Sequence, residues 1–208
     1  MNKNIFIIVI VLFSSINFLL AQDEDPLYTR AGFKFGGNYA NITGDLENTD
    51  ARVRMHLGAV IEFPITSNFF VQAEVLYSAQ GYTIEENSIE NEISLNYLAL
   101  PLIAKYYFVP KFSFETGPRF ATLANESNSI GDETDEFFNT YNDFDFGWVF
   151  GAGFKAESGL FFQVHYTLGL NNVFNTDIND ISSNHSIAQL SVGYLFKTKN
   201  NRRQQSQE

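Results

Sequence analysis

Residues 143–155 read DFDFGWVFGAGFK, and two faces separate at once. Phe144, Phe146, Trp148, Phe150, Ala152 and Phe154 share one parity, while Asp143, Asp145, Gly147, Gly151, Gly153 and Lys155 share the other. Successive side chains of a strand point to opposite faces, so this is a strand with one greasy face and one face of glycines and charges. The alternation recurs on either side. Residues 160–170 set Leu160, Phe162, Val164, Tyr166 and Leu168 against Gln163, His165, Thr167 and Gly169. Residues 185–196 set Leu190, Val192, Tyr194 and Phe196 against Gln189, Ser191 and Gly193. Residues 29–41 set Phe33, Phe35 and Tyr39 against Lys34, Gly36 and Asn38. Runs at about 52–65, 69–81, 93–108 and 112–124 complete the set of eight strands, each bounded by Gly, Asn, Asp, Ser or Pro. The run 93–108 is the least regular, because Pro101 removes a ladder donor and predicts a bulge or parity slip nearby.

Connection lengths alternate. Thr66-Ser67-Asn68, Val109-Pro110-Lys111 and Glu157-Ser158-Gly159 are tight turns, and between them lie longer polar stretches near 42–51, 82–92, 125–142 and 171–184. This is a meander of hairpins with short turns and both termini on one rim and long loops on the other, as in bacterial outer-membrane barrels. Glycine decides which face is inside. Gly32, Gly36, Gly58, Gly117, Gly147, Gly151, Gly153, Gly169 and Gly193 lie on the face that carries the charges. An eight-stranded bore is narrow and cannot hold the bulky apolar set. Glycines relieve crowding there, while Phe, Tyr, Leu and Val meet lipid. The expected fold is all-β, an eight-stranded antiparallel up-and-down transmembrane β-barrel.

On the glycine face Lys34, Arg54, Lys105, Arg119 and Lys155 meet Glu62, Glu74, Glu115, Asp143 and Asp145. Confined charges need compensation. Such a set fits a selective conduit or a packed polar core, and eight strands favour the core. Tyr28, Tyr39, Phe69, Phe70, Tyr106, Tyr107, Phe108 and Phe112 crowd the strand ends, where amphipathic rings suit headgroup depth.

The chain has 208 residues, 13 Lys+Arg against 24 Asp+Glu, and no cysteine. Acidity argues against a nucleic-acid partner, and the lack of thiols excludes disulfides and zinc-thiolate sites. Residues 1–21 have the layout of a cleaved signal peptide, with a weakly basic start, the apolar run Ile5 to Leu20 and then Ala21. Residues 22–208 then form the barrel domain, with strands within about 29–196 and a polar tail at 197–208.

Several segments resemble the outer-membrane β-barrel family of Bacteroidota labelled porin-like or PorT-like. They are Gly32 to Asn38 (GFKFGGN), Glu74 to Gly81 (EVLYSAQG), Tyr97 to Tyr106 (YLALPLIAKY), Gly117-Pro118, Gly151-Ala152-Gly153, Tyr166 to Asn171 and Gln189 to Phe196. Ala99 stands where such proteins often carry glutamate. The resemblance implies an outer-membrane barrel and no enzyme. Some relatives serve type IX secretion and gliding. Tyr194-Leu195-Phe196 resembles the terminal aromatic signal read by the barrel assembly machinery.

Chemistry candidates are few. His56, His165 and His185 are scattered; His165 beside a serine could do nucleophilic work on lipid or peptide, yet no nucleophile-elbow spacing is present. Glu126, Asp132, Glu133, Asp135 and Glu136 lack the calcium-loop pattern and read as a solvated acidic loop. No catalytic, cofactor-binding or metal-binding residue is assigned, and no cofactor is expected. The expected role is structural, anchoring or loop-mediated, with at most limited passive solute passage. Expected partners are outer-membrane lipids, the assembly machinery and an envelope protein at the long loops.

Overall fold

The computed structural model describes residues 29–45, 49–86, 89–128, 141–174 and 182–197. The signal segment 1–21, Tyr28, the acidic residues Asp132, Glu133, Asp135 and Glu136, and the tail beyond Lys197 lie outside the described residues. Eight strands form one closed antiparallel barrel in sequence order. They are β1 (Arg30–Gly44), β2 (Thr49–Pro64), β3 (Phe69–Glu86), β4 (Ile89–Val109), β5 (Phe112–Asn128), β6 (Phe144–Lys155), β7 (Leu160–Gly169) and β8 (Ser183–Lys197). β8 closes on β1, with Arg30 opposite Lys197, so both ends of the wall lie on the rim of the short turns.

The wall is strongly sheared. Paired residues lead from Arg30 to Glu62, Gln72 and Ile103, and across to Gly117. They continue through Val149, Thr167 and Ile187 to Ala40, ten residues further along β1 than the start. Stagger of this kind requires strands tilted by about 35–45° to the barrel axis.

The faces divide as the parity predicts. Phe33, Phe35, Leu57, Leu100, Phe114, Phe150, Phe162, Val164 and Leu190 are exposed on the outer wall, whereas Lys34, Glu62, Glu74, Lys105, Glu115, Arg119 and Asp145 are buried inside. An outward apolar band around a polar interior is the arrangement of a barrel that spans a bilayer.

Glycines make the interior possible. Lys34 has Gly58 opposite on β2 and Gly193 opposite on β8. His56 faces Gly36, Glu115 and His165 both face Gly151, Arg119 faces Gly147, and Phe161 faces Gly193. A side chain at Gly193 would overlap the Phe161 ring and the Phe33 carbonyl, and one at Gly153 would overlap the Glu115 carboxylate.

Two sequence expectations need correction. The stretches 42–51 and 82–92 are mostly strand rather than loop, because β1 to β4 run on past the apolar band. Ile42, Tyr82, Ile93 and Leu95 continue the inward alternation there. Above the band the outward side chains meet water and are polar, which makes a strand read as a loop. Pro101 also stands in register opposite Arg119. Its pairing with β3 lapses between Ala73–Leu102 and Leu76–Ala99 and resumes without a slip. The register shifts of the β4–β5 ladder instead fall at Asn96/Tyr97 and Tyr107/Val109.

The crowding argument separates inner from outer glycines. Gly193→Leu should destabilise the barrel by about 1–3 kcal/mol or more through overpacking and abolish its heat-modifiable gel mobility. Gly37→Leu should keep that mobility, since a Cβ at the outward Gly37 meets nothing closer than the Arg54 carbonyl at 3.9 Å.

Candidate functional site in the barrel lumen

The bore is filled by one polar network with an apolar cap. At the short-turn end Glu62 receives three cations. Arg30 lies 2.6 Å and Lys155 3.2 Å from its Oε1, and Lys105 lies 3.0 Å from its Oε2. Lys105 also contacts Glu115 at 3.2 Å and donates to Gln72 at 2.9 Å. Glu115 accepts from Ser113 at 2.7 Å and from Gln163 at 2.7 Å, and it meets His165 Nε2 at 2.6 Å. Higher up, Lys34 pairs with Glu74 at 2.7 Å, and Gln72 donates to the same carboxylate. Arg119 pairs with Asp145. Apart from Arg30 and Lys155, which keep some exposure at the rim, these charges are buried and each meets an opposite one, as a low-dielectric interior requires.

Sequence parity located most of this network and missed part of it. Arg30, at the first position of β1, was not counted, although it is directed at Glu62. Asp143 is exposed outside β6, where its carbonyl accepts from Leu123 N. Arg54 has inward parity but is only half-buried. Phe70 and Tyr107, expected at headgroup depth, point inward and are buried, packed edge to face at 5.3 Å. Their strands reach the rim with inner parity at these positions, so the rings floor the bore. Ala99 is fully buried in the apolar cap.

His165 bonds Glu115, and among the described residues no serine is hydrogen-bonded to it. The structure brings together a different set, in which Ser191 Oγ lies 2.8 Å from His56 Nε2 and His56 Nδ1 lies 2.7 Å from Asn38 Oδ1. The order resembles a nucleophile, base and orienting group. Asn38 is nevertheless committed elsewhere, donating to Ser78 and Ala79 and accepting from Gln189 at 2.8 Å. All three residues are at most 2% exposed, and the His56 ring packs against Gly36. The set is a brace along the inside of the neighbouring strands β8, β1 and β2, extended to β3 through the bonds of Asn38 to Ser78 and Ala79. His185 bonds Tyr97 at 3.0 Å. Among the described residues, no group of three or more acidic or histidine side chains is placed to hold a metal ion.

The cap lies on the long-loop side. Ile42, Leu76, Tyr82, Ile93, Leu95, Tyr97, Ala99 and Ala121 line the wall, and Tyr141, Val173 and Phe174 fold over them. The approaches to β6 and from β7 pair there, through a bridge between Tyr141 and Phe174 and a bond from Asn142 N to Val173 O. Tyr82 and Tyr141 share a hydroxyl hydrogen bond of 2.9 Å. Beside the cap, the shift of β5 register leaves Ala124 as the extra residue, so Leu123 and Glu126 both face inner residues of β4, Tyr97 and Leu95. Glu126 is half-buried above the apolar band, and neither carboxylate oxygen has a hydrogen-bond partner among the described residues. Burial, helped by the nearby Asp143, raises its pKa from 4.5 to about 6.

The comparisons agree with this architecture. A family model described as outer membrane protein beta-barrel domain matches residues 20–175. Among solved structures, the chain is similar to Neisserial surface protein A, at 12% identity and a TM-score of 0.51, covering 81% of this chain and 97% of that one. It is also similar to Ail, the attachment invasion locus protein of Yersinia pestis, at 11% identity and a TM-score of 0.49, covering 82% of this chain and 100% of that one. Among curated proteins, none matches the chain.

Two outcomes follow from the network. Lys34→Met should cost about 3–5 kcal/mol because Glu74 is left uncompensated, and adding Glu74→Met should recover most of that loss. Urea unfolding in micelles, followed by Trp148 fluorescence, measures both. Glu126 has a folded-state pKa above its unfolded value, so its contribution to stability is present below pH 4.5 and is lost as pH rises through about 6. Glu126→Gln should therefore raise the melting temperature near neutral pH, and the gain should vanish below about pH 4.5.

Proposed function

The chain belongs to the outer membrane protein β-barrel domain family, and from that premise we propose that it is a closed barrel that anchors in the outer membrane and presents its long connections to partners. One observation carries the reading. The bore is occupied from end to end, with ion pairs at Glu62, Glu74 and Glu115 below and the cap of Tyr82, Tyr141, Val173 and Phe174 above. An eight-stranded wall holds side chains and leaves no aqueous channel. The interior thus supplies rigidity, and variation in function falls to the loops.

A non-enzymatic role is supported by the burial of Ser191 and His56, since a nucleophile enclosed in the bore meets no lipid or peptide. Placement among porin-like or PorT-like barrels of Bacteroidota is supported by the segments around Tyr97 to Tyr106 and Gly151 to Gly153. On that placement the chain is exported through a signal peptide ending at Ala21 and assembled through its last strand, which ends in Tyr194-Leu195-Phe196. Service to a type IX-like secretion apparatus rests on the resemblance alone.

Conductance tests the reading directly. The full chain refolded into planar bilayers should give no discrete current steps above the bare membrane. Stable ohmic steps would overturn the closed-barrel reading.

A further inference from the structure

Charge is not balanced at the short-turn mouth. Arg30, Lys105 and Lys155 surround Glu62, and among the described residues only Lys105 has a second carboxylate, Glu115. The excess positive charge therefore lies on Arg30 and Lys155, whose side chains retain 22% and 13% exposure, whereas Lys105 is sealed inside. The two heads are held in place by rings. The Arg30 guanidinium stands 5.1 Å and the Lys155 ammonium 5.0 Å from the Phe70 centroid, and Lys155 stands 4.4 Å from that of Tyr107. A ring face orients a cation without supplying a full negative charge.

Two hollows flank this pair, with volumes of about 750 and 380 Å³, and Arg30, Pro110 and Lys155 line both. The larger is walled by Tyr194 and Phe196, with Lys111 and Glu157 also in its lining, and the smaller is walled by Phe108. Phe108 and Phe196 are exposed on the outer wall at the rim, where aromatic rings mark headgroup depth. These outer rings and the two cations line the same hollows, so a phosphate seated there at headgroup depth would reach both heads. Lys111 is discounted, because Glu157 already pairs with it at 3.0 Å. We propose that Arg30 and Lys155 form a phosphate-binding cleft in the short-turn mouth that takes the headgroup of an anionic phospholipid. The inference rests on the membrane-spanning barrel, with its short turns in the periplasm, and adds a ligand to it.

Native mass spectrometry of the full chain in non-ionic detergent tests it, with phosphatidylglycerol and phosphatidylcholine of matched acyl chains as probes. Phosphatidylglycerol should be retained preferentially. Lys155→Gln should reduce its retention about fivefold, the loss of one cation near a headgroup. Glu62 keeps Arg30 and Lys105 in that variant, so the barrel should persist. Lys155→Arg should retain the lipid, and Arg52→Gln on the opposite rim should change nothing. Arg30→Gln, which leaves Lys105 and Lys155 on Glu62, gives a second reading if Lys155→Gln does not fold. Equal retention of the two lipids, or retention unaltered in both glutamine variants, would overturn the cleft. Inorganic phosphate binding as tightly as the lipid would overturn the lipid assignment. Heat-modifiable mobility, run on each sample, separates the cases. Its absence in the wild type would undo the barrel itself, whereas an intact barrel without lipid preference undoes only the cleft.

Discussion

A closed wall of eight strands encloses so little volume that many of its large inward side chains are matched by a missing one on a neighbouring strand. Lys34 lies between Gly58 and Gly193, Glu115 and His165 converge on Gly151, and Arg119 stands opposite Gly147. The concave side of a tightly curved sheet brings neighbouring backbones close to any Cβ. At Gly32 and Gly117 the obstruction is a carbonyl of the next strand rather than a side chain. The glycines are thus tied to circumference. A wider barrel would not need them, and this one could not close without them.

The same confinement sorts the contents of the bore along its axis. At the short-turn mouth cations outnumber carboxylates among the described residues, and Arg30 and Lys155 keep some exposure. In the middle each charge meets an opposite partner or an amide, as with Lys34, Glu74, Gln72 and Gln163. At the long-loop end charge gives way to Tyr82, Leu95, Tyr141 and Phe174. The grading follows from access to water, because an unmatched charge is tolerable only where solvent reaches it. Arg30 and Lys155 can carry an excess that Lys105, a few ångströms deeper, could not.

Much of this was legible in the sequence, and the failures have physical causes. Parity named the inner face correctly from Lys34 through Glu115, because lipid on the other side forces a clean alternation. It failed where lipid is absent. β3 and β4 continue past the apolar band as far as Glu86 and from Ile89, and their polar outer residues looked like loop. It failed also at strand ends. Arg30 and Asp143 border the apolar runs, where period two does not reveal whether the ladder includes a residue. Phe70 and Tyr107 were misplaced for a related reason, since aromatic type suggested headgroup depth while position in the strand directed the rings inward. The Ser191–His56–Asn38 brace joins three strands, and no spacing in a linear chain announces it.

An apolar bore would fill the same volume and spare the desolvation of so many charges, so the charged interior calls for a reason. Period two supplies one. A slip of a single residue in any strand exchanges its faces. With an apolar bore, the slipped strand would present lipid with side chains much like those it removed, and the two registers would be close in energy. With the present interior, a slip in β4 or β5 would carry Lys105, Glu115 or Arg119 into hydrocarbon. For Lys105 or Arg119 at the bilayer midplane the cost is about 2–4 kcal/mol each, and a carboxylate costs less. The slip would also strand the partner left inside. The ion pairs therefore contribute less to the depth of the native state than to its separation from the face-exchanged alternatives. That separation is what a protein whose outer surface is as apolar as a core most requires.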